Sequence, residues 1–188
     1  DLKEWTTGTK DIYRFILGPE WGTTFGTTGF WAPQWYKDNG KYYFLYTANE
    51  KVAIAQADDV TGIFTQDKAV EIDASAGNID PFLFKDSNGK YYLYHVRFGG
   101  NFIWVAEFDM TTGTINSATL NQCMEITEPW ERMYNYDSSR IMEGPTVVKW
   151  DNVYYLFYSA NHYKDPDYAV GYATASSPMG PWTKYSGN

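Results

Sequence analysis

Short runs rich in Tyr, Phe and Val alternate along the chain with polar residues typical of tight turns. One run, Asn39-Gly-Lys-Tyr-Tyr-Phe-Leu-Tyr, recurs as Asn88-Gly-Lys-Tyr-Tyr-Leu-Tyr and, without the Gly-Lys pair, as Asn152-Val-Tyr-Tyr-Leu-Phe-Tyr. Aromatic and β-branched residues favour strands, and Asn and Gly tolerate the positive φ that hairpin turns require. The pattern predicts three equivalent strands, each entered through a tight turn.

Two further runs flank each of these strands. A run opened by a proline precedes it, at Pro33, Pro81 and Pro145. A third run follows it, beginning at Val52, Ile103 and Ala169. The unit is a meander of about four strands that repeats at about 50 residues, which is the period of a β-propeller blade. We therefore predict an all-β fold with three consecutive four-stranded blades.

The repeats predict one partial propeller domain, residues 1–188. Residues 1–29 are assigned to the outer part of a first blade and a long loop, 30–77 to a second blade, 78–127 to a third, and 128–188 to a loop and a fourth blade.

The meander also predicts which face of the disc carries function. In an antiparallel blade, the first strand begins and the second strand ends on one face, and the tight turns lie on the other. Two long connections, 18–30 and 128–141, return to the first face. They carry the aromatic residues Trp21, Phe25, Trp130, Tyr134 and Tyr136. Long aromatic loops opposite minimal turns indicate a functional face.

Two carboxylates are predicted to meet at the hub of this face. The first strand of each blade lines the central channel, so Asp80 and Glu143, next to two of the prolines, converge near the axis beside Trp31. Glycoside hydrolysis uses such a pair: one carboxyl protonates the leaving oxygen and the other activates water or attacks. The residues alone leave other interpretations open. Asp-Pro is a common turn pair, Glu-Gly-Pro fits an ordinary loop, and Trp31 fits a core.

Composition and charge narrow the classes of partner. Aromatic residues make up 19 %, which favours strands, and the net charge of −8 opposes binding to nucleic acid. No apolar run approaches the roughly 20 residues needed to span a bilayer. The segment at Asp1 is not a signal peptide, and we expect a secreted or periplasmic protein whose signal is not present in this chain, with the cytoplasm as the alternative. The one cysteine, Cys123, is expected to be a small buried hydrophobe.

Several ordered motifs together resemble glycoside hydrolase family 43. They are Phe30-Trp-Ala-Pro33, Ile79-Asp-Pro81, Glu143-Gly-Pro145, Tyr158-Ser-Ala-Asn-His-Tyr163, Tyr168-Ala-Val-Gly-Tyr-Ala-Thr174 and Ser177-Pro-Met-Gly-Pro-Trp182. The resemblance covers nearly the whole chain. It implies part of a five-bladed propeller from a family of inverting enzymes that includes β-xylosidases, α-L-arabinofuranosidases and arabinanases.

The resemblance also implies roles for individual residues. Glu143 matches the general acid, Asp80 the aspartate that orients the acid and tunes its pKa, and Trp31 the wall of the sugar subsite. The family's base is an aspartate at the hub of the first blade. Asp1 looks like part of that blade's outer strand, so we expect the base to be absent from this chain and the chain alone to be inactive.

Further residues are predicted to contact substrate or to have structural roles. Arg97, His162 and Tyr163 follow second strands and so lie on the functional face, and Ile79 adjoins Asp80 at the hub. The family's fifth blade supplies a histidine near a central ion or water, but neither His95 nor His162 matches that position. We therefore predict no cofactor and no metal site in this chain, and assign no ligands to a structural calcium of the complete propeller.

These observations predict an exo-acting glycosidase of plant pentose polymers such as xylan, arabinan and arabinoxylan, of the α-L-arabinofuranosidase or β-xylosidase type. A non-catalytic carbohydrate-binding propeller is the alternative, favoured by the missing base. The expected partner is an oligosaccharide or polysaccharide, with neither nucleic acid nor membrane. Open blade edges also predict self-association.

Overall fold

A computed structural model describes residues 25–66, 71–99, 102–132 and 141–187. Its first sheet contains β1 (Trp31–Asp38), β2 (Lys41–Ala48) and β3 (Lys51–Ala57). The second contains β4 (Asn78–Lys85), β5 (Tyr91–Arg97), β6 (Phe102–Asp109), β7 (Thr114–Ile115) and β8 (Asn121–Gln122). The third contains β9 (Met142–Trp150), β10 (Val153–Ala160), β11 (Ala169–Ala175) and β12 (Thr183–Lys184). Two short 3₁₀ helices, Ser117–Thr119 and Pro129–Glu131, lie in the connections.

The three sheets are antiparallel meanders, which confirms the predicted all-β class. Their inner strands are neighbours, because β1 contacts β4 and β4 contacts β9. The third sheet has four strands in line. In the second, the outer edge of β6 is shared by β7 and β8. The described residues of the first sheet show three strands and an isolated bridge from Gln56 to Thr65.

The hairpin turns have the geometry that their residues predict. Asn39 and Gly40, between β1 and β2, have φ of 48° and 78°. Asp151 and Asn152, between β9 and β10, have φ of 47° and 61°. Two consecutive positive φ values define the turn whose twist matches paired strands, and Asn, Asp and Gly adopt it at least cost. These turns fix the register that carries the functional residues to the opposite face.

Apolar side chains fill the two spaces between successive sheets. Leu45 and Val52 of the first sheet pack with Leu83 and Leu93 of the second. A larger cluster joins the second sheet to the third and includes Tyr94, Val96, Val105, Val147, Leu156 and Tyr158. Cys123 is partly buried and packs against this larger cluster. The sheets therefore stack face to face as successive blades.

Every inner strand is irregular just before its proline. Ala32, Asp80 and Gly144 precede the three prolines and have φ of 48°, 54° and 61°. At each of these points the pairing with the second strand also shifts register. A residue other than glycine costs free energy in this left-handed conformation, and such residues are enriched at functional sites. This repeated bulge sets the direction of the residues at the hub.

Some predicted features lie outside the described residues. They include Asp1, most of the segment 1–29, and the loop residues Trp21, Tyr134 and Tyr136. Among the residues described, no helix is both long and apolar enough to cross a bilayer.

Candidate functional site

Asp80 is tied to both neighbouring blades. Its backbone N–H donates to the hydroxyl of Thr47 in β2, at 3.1 Å. Its carboxylate Oδ2 accepts the backbone N–H of Gly144 in β9, at 3.0 Å. Because Gly144 directly follows Glu143, this bond joins the segments that carry the two predicted carboxylates.

Both carboxyl groups are held with raised pKa values. Burial raises the pKa of Asp80, and the bond from Gly144 only partly opposes that effect. Burial is also the largest cause of the raised pKa of Glu143, and the charge of Asp80 adds to it. A hydrogen bond from Tyr168 and the charge of His162 act in the other direction. A partly buried carboxyl group with a raised pKa beside a second carboxyl group is the arrangement expected of a general acid.

Tyr168 is a site residue that sequence reasoning did not identify. Its hydroxyl donates to Oε1 of Glu143 at 2.7 Å. Burial raises the pKa of this phenol to about 12. The hydroxyl therefore keeps its hydrogen and remains a hydrogen-bond donor over the pH range in which most enzymes work. Its place just before β11 put it on the functional face, but a lone tyrosine among 17 gives no sequence signal of its role.

Each sheet has a bulge in its inner strand, and Trp31 in the first sheet and Ile79 in the second are equivalent to Glu143 in the third. Each directly precedes the left-handed residue, and Ile79 pairs with Val96 as Glu143 pairs with Ser159. Trp31 is 41 % exposed at the head of β1. Its ring lies against Gly29, where a Cβ would come within 2.6 Å of the ring carbon Cζ3. The three equivalent positions therefore present an indole, an aliphatic chain and a carboxyl at the hub.

Arg97 is anchored by a buried polar network. Its Nε donates to Asp73 at 2.9 Å and one terminal nitrogen donates to Ser75 at 2.7 Å. The guanidinium also lies over the Trp104 ring, 5.0 Å from its centroid. This anchoring fixes the guanidinium at the end of β5. Substrate contact by Arg97 stays a prediction.

Asp73 is the buried centre of that network. Burial alone would raise its pKa, but hydrogen bonds from His95 and Ser75 outweigh burial and hold the pKa well below the usual range. His95 is fully buried, and burial lowers its pKa despite the Asp73 carboxylate 3.3 Å away. Asp73 is therefore held as an anion by hydrogen bonds from His95, Ser75 and Arg97.

His162 and Tyr163 lie on the loop between β10 and β11. Their rings stack with centroids 4.7 Å apart, and Nδ1 of His162 accepts the N–H of Lys164 at 3.1 Å. Tyr163 is 64 % exposed. His162 is within electrostatic reach of Glu143, since its charge affects the pKa of that carboxyl. Both rings are placed where they can extend the site, and their binding roles stay predictions.

The described part of the chain contains no cluster of three or more His, Cys, Asp or Glu able to hold a metal ion. The carboxylates that it brings together at the hub are Asp80 and Glu143. Asp1 lies outside the described residues, so its exclusion as the base stays a prediction.

Comparison with known proteins gives one family. The family model described as "Glycosyl hydrolases family 43" matches residues 1–188. Among solved structures, an endo-1,4-β-xylanase from Bacteroides thetaiotaomicron is 44 % identical with a TM-score of 0.82, over 89 % of this chain and 57 % of that one.

Two curated relatives also match. A β-xylosidase of Xylanibacter ruminicola is 25 % identical over 183 residues, covering 81 % of this chain and 55 % of the relative. A β-D-galactofuranosidase of Aspergillus niger is 30 % identical over 105 residues, covering 56 % of this chain and 26 % of the relative. The chain thus spans about half the length of the bacterial relatives and about a quarter of the fungal one.

Proposed function

The chain belongs to glycosyl hydrolase family 43, and from that premise we propose that it forms the active-site part of a glycosidase that hydrolyses xylan- or arabinan-type polymers. The relatives named xylanase and β-xylosidase support this substrate class. The observation that carries the proposal is the joined pair of carboxyl groups. Glu143 is half-buried with a raised pKa, and the next residue holds Asp80 by its backbone N–H.

We propose that Glu143 is the general acid. Its proton passes to the glycosidic oxygen as the bond from that oxygen to the anomeric carbon breaks, so the aglycone leaves as an alcohol. Asp80 orients the segment through Gly144, and its charge adds to the effect of burial in raising the pKa of Glu143. In this proposal Asp80 does not attack the sugar.

We further propose an inverting mechanism. A second carboxylate then activates a water molecule on the far side of the sugar, about 6.5–9.5 Å from the acid. Asp80 is a poor candidate for that role, because its carboxylate is directed at the peptide after Glu143. We place the base outside the described residues.

The hub supplies surfaces suited to a pentose. The exposed indole of Trp31 offers a flat apolar face for a sugar ring, and the half-buried Ile79 supplies an aliphatic wall. Arg97, His162 and Tyr163 border the same face and offer charged, polar and aromatic contacts. We propose exo attack on a terminal arabinofuranosyl or xylosyl unit. Because such polymers lie outside cells, we also propose a secreted or periplasmic location.

A binding module without hydrolysis remains the second candidate, since our proposal places the base outside the described residues. The two functions are separated by Glu143→Gln, which keeps the size of the side chain and removes its acidity. In the complete protein, with xylo- and arabino-oligosaccharides as substrates, we expect at least the roughly 10²–10⁴-fold loss of rate that follows loss of a general acid. Binding of the same oligosaccharides should persist.

Glu125→Gln is the matched control, because Glu125 is an exposed glutamate outside the site. Its rate should equal that of the unaltered protein. If hydrolysis survives Glu143→Gln undiminished, Glu143 is not the general acid. If the unaltered complete protein binds the oligosaccharides but does not hydrolyse them, the protein is a carbohydrate-binding module. NMR of the first product released would show inversion or retention at the anomeric carbon.

A further inference from the structure

Tyr168 makes a direct hydrogen bond to the proposed acid. Its hydroxyl donates to one specific oxygen of Glu143, Oε1, at 2.7 Å. The two residues lie 25 positions apart, on the loop before β11 and at the head of β9. No backbone pairing of the strands requires the contact. It depends on where the loop places the phenol.

The loop that carries Tyr168 is held at several points. The Asn161 side chain donates to the carbonyl of Trp130 at 2.6 Å and to that of Asp167 at 2.9 Å. The N–H of Asp165 donates to the carbonyl of His162 at 2.7 Å, and the N–H of Tyr168 to the carbonyl of Asp165 at 3.0 Å. Asn161 and Asp165 are both buried. The position of the phenol is therefore fixed before any substrate arrives.

A second hydroxyl lies beside this hydrogen bond. Ser159 is the strand partner of Glu143, and its side chain hydrogen-bonds the Tyr168 side chain. The phenol of Tyr168 thus contacts a hydroxyl on β10 as well as the carboxyl group on β9, and its own O–H donates to Oε1 of Glu143.

Building on the proposed function, we propose that Tyr168 is a positioning residue that keeps Oε1 of Glu143 as the unprotonated oxygen, so that the acid carries and delivers its proton from Oε2. While the carboxyl group of Glu143 is protonated, the oxygen that accepts a hydrogen bond from a neutral phenol is its carbonyl oxygen, and the O–H is the other oxygen. The same bond strengthens when the proton leaves, because hydrogen bonds to a charged acceptor are the stronger ones. Tyr168 then stabilises the carboxylate that forms as the glycosidic bond breaks.

Three groups act on the protonation of Glu143, from different parts of the fold. Asp80 on β4 opposes its ionisation, whereas His162 and Tyr168 on the loop before β11 favour it. Loss of the Tyr168 hydroxyl should therefore raise the pKa of Glu143, and loss of the Asp80 charge should lower it. The opposite signs distinguish the two residues in one type of experiment.

The test compares Tyr168→Phe with Tyr185→Phe in the complete protein. Both variants lose one phenol oxygen next to a strand of the third sheet, and Tyr185 is a half-exposed residue after β12, outside the site. For Tyr168→Phe we expect the basic limb of the pH–rate profile to move up by about one pH unit, and the rate on a poor leaving group to fall about 10- to 100-fold. A good aryl leaving group should suffer less. Tyr185→Phe should change neither quantity.

A titration of Glu143 by NMR, with ¹³C in its carboxyl group, gives a readout that needs no turnover. The pKa should lie above the ordinary value in the unaltered protein and higher still in Tyr168→Phe. Thermal unfolding checks that each variant folds. An unchanged Glu143 pKa in a folded Tyr168→Phe overturns the inference, as does an equal loss of rate on both leaving groups. If the unaltered protein hydrolyses no glycoside, the proposed function fails while the titration still decides the role of Tyr168.

Discussion

At the scale of single residues, the site depends on a strained aspartate. Asp80 has φ of 54° directly before a proline, where backbone conformations are already restricted. Two hydrogen bonds to other blades hold it there: its N–H donates to Thr47, and its carboxylate accepts from the N–H of Gly144. The Asp-Pro and Glu-Gly-Pro motifs predicted that Asp80 and Glu143 converge, and the structure joins their two segments by a hydrogen bond. The bulge could not be predicted, since it arises from packing among three strands distant in sequence.

Asp80→Asn should separate a tuning role from a nucleophilic one. Removal of the Asp80 charge removes a cause of the raised pKa of Glu143, so the basic limb of the pH–rate profile should move to lower pH. The profile of kcat/KM in the complete protein measures this shift. A glycosyl group trapped covalently on Asp80 would exclude both the tuning role and inversion.

Asp73 makes stability dependent on pH. Because its folded-state pKa is depressed, its contribution is complete above the unfolded value of about 3.9 and is lost as the pH falls through the folded value. Asp73→Asn leaves the guanidinium of Arg97 uncompensated and should lower the free energy of unfolding by about 3–5 kcal/mol at neutral pH. It should also flatten the loss of stability below pH 4. Urea unfolding across pH tests both effects, with the exposed Asp58→Asn as the unaffected control.

At the scale of strands and turns, the sequence repeats predicted most of what is observed. The three proline-opened runs became the inner strands β1, β4 and β9, and the Asn-Gly turns took positive φ. The short outer strands were less predictable. The β7 and β8 pairs each span two residues, so their positions depend on the edge of β6 rather than on their own composition. Tyr168 was missed for a similar reason, since its role depends on how a loop folds back over β9.

A repeated ionic contact joins successive blades. Asp38 at the end of β1 bonds Lys85 and Tyr91 of the next sheet, and Asp86 just after β4 bonds Lys149 and Tyr154 of the sheet after that. In the third sheet, Trp150 pairs with Val153 across its turn as Asp38 pairs with Lys41 in the first. The end of β9 therefore carries Trp150 at the position where β1 carries Asp38.

Loss of this contact should weaken the stacking of the sheets. Asp86 is buried, and its carboxylate accepts from Lys149 at 2.8 Å and from Tyr154 at 2.7 Å. Asp86→Asn should lower the free energy of unfolding by about 1–3 kcal/mol, as expected when a buried charge-assisted hydrogen bond is lost. Asp151→Asn in the exposed turn of the third sheet should change it by less than about 0.5 kcal/mol. Equal effects of the two substitutions in chemical denaturation would show that the contact adds nothing.

At the scale of the whole molecule, equivalent positions differ sharply in exposure. Val170 in β11 is 67 % exposed, whereas Val52 and Ile103, at the same place in the other two sheets, are fully buried. Phe157 in β10 is 37 % exposed, and Trp150 is 75 % exposed on the neighbouring strand β9. The outer face of the third sheet thus presents apolar positions that the other two sheets cover with a neighbour.

An exposed apolar face of this kind favours association. We predict that the 188-residue chain has a mass in solution above that of a monomer and that the mass rises with concentration. Val170→Lys should shift the distribution of molecular mass toward the monomer. Val60→Lys should not, because Val60 is an exposed residue that follows the first sheet rather than lying in the third. Sedimentation of the three proteins decides the matter. A monomer at every concentration contradicts the prediction.

The central claim is that Glu143 supplies the proton to the leaving group. Its most direct test measures how the rates of the unaltered protein and of Glu143→Gln depend on the leaving-group pKa, across a series of aryl arabinofuranosides and aryl xylosides with the complete protein. Phenols that are already good leaving groups need little protonation. The account predicts a loss of about 10²-fold or more for poor leaving groups that shrinks steadily as the leaving group improves. A loss of the same size across the whole series would contradict it.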